Sequence, residues 1–393
     1  MPFPIEFLFF GATLIGVALL HKRTLLVASV GLAVIAAWKA FQGFDFGAHM
    51  AHEWVLLANL ALLLTGFELL ARHFEQSRVM DLAPRFLPDD WTGGLAMLFL
   101  VFVLSGLLDN IAAALLGATL ARHIFKGEVT LAYLAAIVAS ANAGGAGSVL
   151  GDTTTTMLWI AGVHPMHVLH AYVGAFAAFC VFAPAAAMAQ QKRAPIYRHA
   201  PDGPVDWVRV AIAAACLIVA LSANLGAHIV APALLDTLPL LGLAVWATLL
   251  AAWIWRKPDL HVLPHAAAGT LFLLALVLAA SLMPVKALPT PTEWTTLALG
   301  FVSAIFDNIP LTKLAIDQEG YDWALLAYAV GFGGSMMWFG SSAGVAVSNI
   351  YPEAKTVWGW LKAGWLIPVG YVVGFFVMFA VFGWDAQTIG PGH

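Results

Sequence analysis

Apolar runs long enough to cross a lipid bilayer recur along the whole chain, and no other feature constrains its fold as strongly. Each run has about 17 to 25 residues, the length that an α-helix needs to span the hydrocarbon core. Only 10% of the residues are charged and 61% are hydrophobic, whereas a soluble domain carries about 25% charged residues. The chain is therefore predicted to be an all-α, polytopic membrane protein.

The apolar runs divide into full spans and interrupted segments. Full spans are predicted near 4–20, 24–41, 54–71, 129–160, 168–188, 207–223, 237–255, 262–283, 321–350 and 360–383. The segments 92–121 and 294–316 are each interrupted by Asp-Asn. Both are too long for one untilted helix and too short for two crossings, so we interpret them as re-entrant hairpins.

Basic residues orient this layout through the positive-inside rule. With a periplasmic N-terminus, most of the 18 Lys and Arg residues fall in cytoplasmic loops. The exceptions are Lys39, Lys286 and Lys313. We therefore expect a bacterial inner-membrane protein with both termini periplasmic. The first run leads into His21-Lys22-Arg23 rather than into a small-residue cleavage site, so no cleavable signal peptide is expected.

Two paired signatures reveal an internal repeat. Ser105-Gly-Leu-Leu-Asp109-Asn110-Ile111 matches Ser303-Ala-Ile-Phe-Asp307-Asn308-Ile309. Further on, Gly144-Gly145 with Gly151-Asp152-Thr153 matches Gly333-Gly334 with Gly340-Ser341-Ser342, in the same order and about 190 to 200 residues away. Each half holds five full spans and one hairpin. Because five is odd, the second half is predicted to be inverted, as in many secondary transporters.

The predicted domains follow from this repeat. The first repeat covers 1–189, a cytoplasmic linker covers 190–206, and the second repeat covers 207–393. The first hairpin would open to the cytoplasm and the second to the periplasm. The spans 129–160 and 321–350 are glycine-rich in the middle and are expected to be broken helices that unwind at the midplane.

Polar residues within these segments are the candidates for chemistry. A carboxylate near the bilayer centre costs several kcal/mol unless it is paired, protonated or solvated, so Asp109, Asp152 and Asp307 indicate an ion or proton site. Asp and Asn at a hairpin tip also cap the following helix, and the two roles can coexist. Unwound backbone supplies free carbonyls, which with Asp and Thr oxygens suit Na⁺ or Li⁺.

The candidates fall into three sets. The predicted ion- and proton-binding residues are Asp109, Asn110, Asp152, Thr153, Thr154, Thr155, Asp307, Asn308, Ser341 and Ser342, with Na⁺ expected near the three aspartates. The secondary candidates are Asn142, Thr156, Thr312 and Lys313. The backbone candidates are Gly144, Gly145, Gly151, Gly333, Gly334 and Gly340. Small residues also serve close helix packing, and threonines also bond to their own helix, so these simpler roles stay open.

Three further features have simpler interpretations beside functional ones. Lys313 is either a counter-ion for an aspartate, or a structurally paired or snorkelling side chain. The cluster His164, His167 and His170 has the spacing of one helix face and suits either a metal or pH sensing, although exposed interfacial histidines are commoner. The only two cysteines lie in separate apolar runs, so neither a disulfide nor a cysteine metal site is expected.

The segment Asn142-Ala-Gly-Gly-Ala-Gly-Ser-Val-Leu-Gly-Asp152-Thr-Thr-Thr-Thr resembles the signature of the NhaD-type sodium/proton antiporters. Asp307-Asn-Ile-Pro310-Leu-Thr312 and the stretch from Gly333 to Gly344 resemble second-half segments of that family. The family belongs to the wider ion transporter superfamily, with citrate, dicarboxylate and arsenite carriers. The resemblance implies a homodimer with an elevator-like motion, and no cofactor besides the transported ions. After Asp109-Asn110 the family has a Thr-rich run, whereas this chain has Ile111-Ala-Ala-Ala114.

The predicted function is Na⁺(Li⁺)/H⁺ exchange by alternating access, with Na⁺ or Li⁺, protons, lipid and a second copy of the chain as the partners. The sequence carries no ATP-binding motif, and no nucleic-acid partner is expected. The alternatives are a carrier of an organic anion or arsenite, a channel, and an intramembrane aspartyl protease. The protease motif Gly-x-Gly-Asp would require glycine at position 149, where this chain has Val149.

Overall fold

A computed structural model describes residues 4–20, 23–197, 203–231, 234–235 and 237–387. The described chain is helical, with one isolated bridge between Tyr321 and Gln387 as its only β pairing, which confirms the all-α prediction.

The first half contains α1 Ile5–Leu19, α2 Thr24–Phe41, α3 Phe46–Gln76, α4 Trp91–Leu107, α5 Asn110–Ile124, α6 Leu131–Gly145, α7 Thr153–Ile160, α8 Pro165–Leu169 and α9 Ala171–Arg193. The second contains α10 Trp207–Val230, α11 Leu240–Ala252, α12 Leu263–Ser281, α13 Glu293–Ser303, α14 Asn308–Gln318, α15 Trp323–Gly333, α16 Ser342–Ile350, α17 Val357–Ala363 and α18 Leu366–Phe382.

Several of these helices meet the length and composition of a membrane span. Among the described helices, α2, α3 and the continuous stretch Pro165–Arg193 are long and apolar enough to cross a bilayer alone. The bent pair α17 and α18 qualifies when it is counted as one span. Most of the other predicted spans correspond to shorter apolar helices. Together these helices are typical of a polytopic membrane protein.

One predicted span has a different shape. The run 360–383 was expected to be a single span, but α17 and α18 meet there at a bend of 58°. Gly364 follows the end of α17, and Pro368 lies in the first turn of α18. Proline is tolerated in a first turn and not in a helix interior, so the chain starts a new helix here instead of continuing the old one.

The predicted site residues all lie in the described chain, whereas Lys22 and positions 198–202 of the predicted linker lie outside it.

The helices pack as two groups. The first group consists of α1, α2 and α3 with α10, α11 and α12, and the second consists of α4 to α9 with α13 to α18. The two groups meet mainly where α12 packs on α14, with smaller contacts from α3 to α5 and α7. Within the second group, α9 and α18 cross closely because small residues line both faces. A Cβ atom on Gly174 would lie 2.9 Å from the carbonyl oxygen of Gly374.

The hairpins and the broken spans carry the same contacts in both halves. Ser105 donates a hydrogen bond to the carbonyl of Ala141 at 2.5 Å, and Ser303 donates to that of Val330 at 2.7 Å. A Cβ atom at Gly144 would lie 1.9 Å from a carbonyl oxygen of α4, and one at Gly333 would lie 2.3 Å from a carbonyl oxygen of α13. Helix α6 therefore touches the backbone of α4, and α15 touches the backbone of α13. Only glycine permits so close an approach.

Candidate functional site

Each Asp-Asn pair sits where one hairpin helix ends and the next begins. Asp109 caps α5 by accepting a hydrogen bond from the backbone N–H of Ile111 at 3.2 Å. Asp307 caps α14 in the same way through Ile309 at 3.0 Å. The capping role is therefore real at both tips, and it places each aspartate at the positive end of a helix, where a carboxylate is stabilised. The asparagine that follows is buried and points away from the cap.

The two asparagines converge on Asp152, a carboxylate that is only 1% exposed. Asn110 donates to its Oδ1 at 3.2 Å, and Asn308 donates to Oδ1 at 3.1 Å and to Oδ2 at 3.2 Å. The hydroxyl of Thr153 adds a longer contact of 3.3 Å. Both hairpin tips and the first broken span thus meet at one acidic side chain, although these residues are up to 198 positions apart in the sequence.

The second broken span joins the same network through neutral groups. Asn142 donates to the hydroxyl oxygens of Ser335 and Ser341, each at 3.0 Å, and accepts from Asn110 at 3.1 Å. Ser341 also caps α16 at the N–H of Gly344, and Ser342 donates to Asp307 Oδ2 at 3.2 Å. The polar network therefore runs continuously from Asp152 to the matching break in the other half.

The threonines after Asp152 have mainly structural contacts. Thr155 and Thr156 donate to the backbone carbonyl of Asp152, at 2.8 and 3.0 Å, and Thr156 also donates to that of Val149. Thr154 is fully buried in the same turn. In the second hairpin, Thr312 donates to its own helix at the carbonyl of Asn308. Thr153 and Thr154 are the threonines that contact the Asp152 carboxylate itself.

The hydrogen-bond partners of Asp152 are uncharged, and so are those of Asp109 and Asp307. The donors to Asp152 are neutral amides and a hydroxyl, and the described residues supply it with no salt bridge. The predicted cation Lys313 is engaged elsewhere, 2.8 Å from Glu53 Oε1 and 2.7 Å from Asp317 Oδ1. A buried carboxylate without a basic partner favours a proton or a bound cation. Asp152 differs from Asp109 and Asp307 in being held by both hairpins, through Asn110 and Asn308.

A glycine opposite the Asp152 carboxylate leaves room for it. A Cβ atom on Gly331 of α15 would lie 2.8 Å from Asp152 Oδ2, closer than such atoms pack. Aligning Gly144-Gly145 with Gly333-Gly334 makes Gly331 the counterpart of Asn142. Gly145 and Gly334 approach the carbonyls of Gly151 and Gly340 in the same manner. The predicted backbone glycines thus shape both breaks.

A cavity of about 620 Å³ borders the second hairpin tip at Asp307. Asp307, Ser342 and Ile111 border it at the hairpins, and Glu68 of α3 lines it from the other helix group. Its remaining wall is largely apolar and extends to Thr24 and Lys355. The cavity therefore lies between the two groups of helices and connects one hairpin tip with the end of the molecule where α2 begins.

Other predicted features do not join the site. His164 accepts from the N–H of Met166, His167 contacts Gln387, and the ring of His170 stacks on Phe382 at 4.2 Å. Within the described chain, no group of three or more His, Cys, Asp or Glu side chains could hold a metal ion. The histidine cluster therefore has local partners at the ends of α8, α9 and α18.

Sequence reasoning missed several residues of the network. Gly331 and Glu68 were not named, Ser335 was named only within the stretch that resembles the family, and the pairing of Lys313 with Glu53 was not predicted. Ser335 directly follows Gly333-Gly334, so the glycine pair was a usable signal for it. Glu68 is an acidic residue inside a predicted span, which is itself a functional signal. Glu53 is 260 residues from Lys313, and nothing local in the sequence indicates their pairing.

The helices and this buried polar network define the class of the protein: an all-helical, polytopic membrane protein whose interrupted helices meet at a buried acid. No family model matches the chain. Known proteins do. Sodium/proton antiporter 1 of Arabidopsis thaliana is 29% identical over 72% of this chain and 54% of its own length. Sodium/proton antiporter 2 of the same plant is 27% identical over 72% of this chain and 75% of its own length.

A bacterial relative gives a similar match. The Na⁺/H⁺ antiporter NhaD of Vibrio parahaemolyticus is 26% identical over 70% of this chain and 77% of its own length. The chain thus spans about half of the first relative and about three quarters of the other two. These matches confirm the resemblance that the motifs indicated: the chain is related to the NhaD-type sodium/proton antiporters.

Proposed function

We propose that the chain is a secondary active transporter that exchanges Na⁺ for H⁺. The observation that carries this proposal is Asp152, a fully buried carboxylate held by neutral donors from both hairpins. Such a group needs one positive charge, and a proton and a monovalent cation are the two simplest ways to supply it. The names of the relatives support the same pair of ions.

Competition at Asp152 would couple the two ions. A proton on Asp152 neutralises it and excludes Na⁺, and a bound Na⁺ excludes the proton. Side-chain amides can rotate to present oxygen instead of nitrogen, so Asn110 and Asn308 can serve either state. Asp109 and Asp307 would supply further oxygens at the two tips, and Li⁺ fits the same hard donor set. No organic cofactor takes part in this exchange.

Alternating access would follow from the two helix groups. In this proposal, the group of α4 to α9 with α13 to α18 carries the site and moves against the group of α1 to α3 with α10 to α12. The repeats 1–189 and 207–393 would be inverted relative to each other, which gives the two end states similar energies. The cavity supports this arrangement because it lies between the two groups and borders Asp307 at the second hairpin tip.

The cellular setting is part of the same proposal. The distribution of basic residues supports an inner-membrane location in a bacterium with both termini periplasmic. By that orientation the loop between α1 and α2 is cytoplasmic, and so is the end of the cavity at Thr24. A homodimer is proposed from the family resemblance.

A carrier of organic anions is less well supported by these contacts. A di- or tricarboxylate site needs an available Arg or Lys, and Lys313, the lysine that the described residues place on the second hairpin, already bonds two carboxylates. Arsenite is uncharged at neutral pH and needs no such residue. Uptake of labelled citrate, succinate or arsenite by proteoliposomes that contain the purified protein would therefore distinguish these cargoes from Na⁺.

The proposed function is tested in proteoliposomes that hold a proton gradient across the membrane. Addition of Na⁺ or Li⁺ should dissipate the gradient, and addition of choline at the same ionic strength should not. An identical response of the purified wild type to all three salts would overturn the proposal.

A further inference from the structure

Lys313 of α14 forms a buried ionic cluster with two carboxylates. Its Nζ atom lies 2.8 Å from Glu53 Oε1 on α3 and 2.7 Å from Asp317 Oδ1 on α14. The side chains of Lys313 and Glu53 are 4% and 6% exposed. Breaking a buried pair leaves an uncompensated charge, so this contact holds its two helices together firmly. We call Glu53, Lys313 and Asp317 the ionic triad.

The triad is an ionic link between the two helix groups, which also pack against each other where α12 meets α14. Glu53 belongs to α3 in the first group, whereas Lys313 and Asp317 belong to the second hairpin, whose tip supplies Asn308 to Asp152. The repeat places Leu115 at the position in α5 that matches Lys313 in α14. The ionic link is therefore a property of the second hairpin, whereas the first hairpin has an apolar residue there.

The same interface is open at its other end. Leu64 and Glu68 of α3 line the 620 Å³ cavity together with Ile111 and Leu115 of α5. Glu53 and Glu68 are 15 residues apart on one helix, which places them about 22 Å apart along its axis. One helix thus borders a cavity near one end and a closed ionic contact near the other.

We propose that the ionic triad is the gate that closes the ion pathway on the side opposite the cavity, and that it must open for the site to reach that side. The proposal rests on the exchange function proposed above. By the predicted orientation, the triad faces the periplasm and the cavity faces the cytoplasm. The structure corresponds to the state in which the cytoplasmic route is open and the periplasmic route is closed.

Cross-linking across the triad tests this gate. Glu53→Cys and Lys313→Cys are introduced into a chain whose native cysteines are replaced by Cys180→Ser and Cys216→Ser. A short bifunctional methanethiosulfonate that joins the two new thiols should abolish Na⁺/H⁺ exchange, and a reducing agent should restore it. Unchanged exchange with the link formed would overturn the gate.

A matched link within one helix group serves as the control. Arg72 of α3 pairs with Asp259, just before α12, at 3.1 Å, and both belong to the first group. The same reagent acting on Arg72→Cys with Asp259→Cys should leave exchange intact. Absence of exchange in the cysteine-free background before any cross-linking would count against the proposed function, and that result differs from failure of the gate.

A second measurement does not require the cysteine pair to be active. Val345→Cys places a thiol on the cavity wall in the cysteine-free background. Adding Glu53→Gln weakens the triad and should shift the protein toward the state in which the cavity is closed. A water-soluble thiol reagent should then label position 345 about fivefold more slowly. Equal rates with and without Glu53→Gln would contradict the gate.

Discussion

The helix break before α7 and the break before α16 share the same backbone contacts and differ in the side chains that they carry. At the first break the chain has Asn142 and Asp152, and at the matching positions of the second it has Gly331 and Ser341. Asn142 reaches across to Ser341, whereas Gly331 leaves room for the carboxylate of Asp152. The two breaks therefore fit together around one charge instead of forming two equivalent sites.

This difference leaves a single carboxylate at the two matched breaks. Around Asp152 the second half contributes Asn308, the space beside Gly331 and, through Asn142, the hydroxyl of Ser341, whereas its acid Asp307 caps α14 at the hairpin tip. Two facing carboxylates at the breaks would repel each other inside the membrane, and the neutral Ser341 avoids that cost. We infer that cation and proton compete at the first break and that the second break shapes the site.

The variant with the largest expected effect removes the carboxylate of Asp152. Asp152→Asn keeps the size of the side chain but can neither bind a proton nor balance a cation. We expect exchange to fall by about 100-fold or more, because the buried charge contributes several kcal/mol. The counterpart Ser341→Ala should cost about tenfold or less, since it removes only neutral hydrogen bonds. Equal losses in gradient-dissipation assays would mean that the breaks are equivalent.

The two tips should also differ. Asn308 contacts both oxygens of Asp152, whereas Asn110 contacts one and is shared with Asn142. We expect Asn308→Ala to raise the KM for Na⁺ by about tenfold and Asn110→Ala to raise it less, because hydrogen bonds to a charged group are the stronger ones. A larger effect at Asn110 would contradict the geometry of the network.

A smaller change tests the space beside the carboxylate. Gly331→Ala places a methyl group 2.8 Å from Asp152 Oδ2. We expect the KM for Na⁺ to rise about fivefold, because a small displacement of a ligand weakens binding. Gly226→Ala is the matched control, since a Cβ atom there meets nothing within 4 Å. If both variants behave like the wild type, Gly331 has no part in shaping the site.

A carboxylate outside the membrane gives the smallest expected effect. Asp206 caps α10 and accepts a hydrogen bond from Arg256 at 2.7 Å. This hydrogen bond holds the pKa of Asp206 below its ordinary value. Ionised Asp206 therefore stabilises the fold fully at any pH above the pKa that this carboxyl has in the unfolded chain. The stabilisation is lost as the pH falls through the lower pKa of Asp206 in the folded protein.

Asp206→Asn should lower stability by about 0.5 kcal/mol at neutral pH, because it loses the exposed ion pair with Arg256 while Asn still caps the helix, and the deficit should shrink in acid. Exchange should be unchanged, because this carboxylate is already compensated by arginine, unlike Asp152. Thermal unfolding in detergent at neutral and acidic pH measures the first effect. A deficit that grows in acid would contradict the assigned sign.

Local signals were sufficient to locate the parts of the site. Glycine pairs marked both breaks, and Asp-Asn marked both tips, since these residues end and cap helices for local reasons. Their assembly was not predictable, because it depends on packing between distant segments. The convergence of Asn110 and Asn308 on Asp152 and the pairing of Lys313 with Glu53 are examples. The bend between α17 and α18 was missed because hydropathy alone does not register a change of direction.

Proton release on Na⁺ binding tests the central inference most directly. Purified protein in weakly buffered detergent is mixed with NaCl or with choline chloride, and the change in pH is recorded for the wild type and for Asp152→Asn. If Asp152 exchanges a proton for Na⁺, the wild type releases protons with NaCl alone and the variant releases none. Equal release by the two proteins would contradict Asp152 as the site of competition.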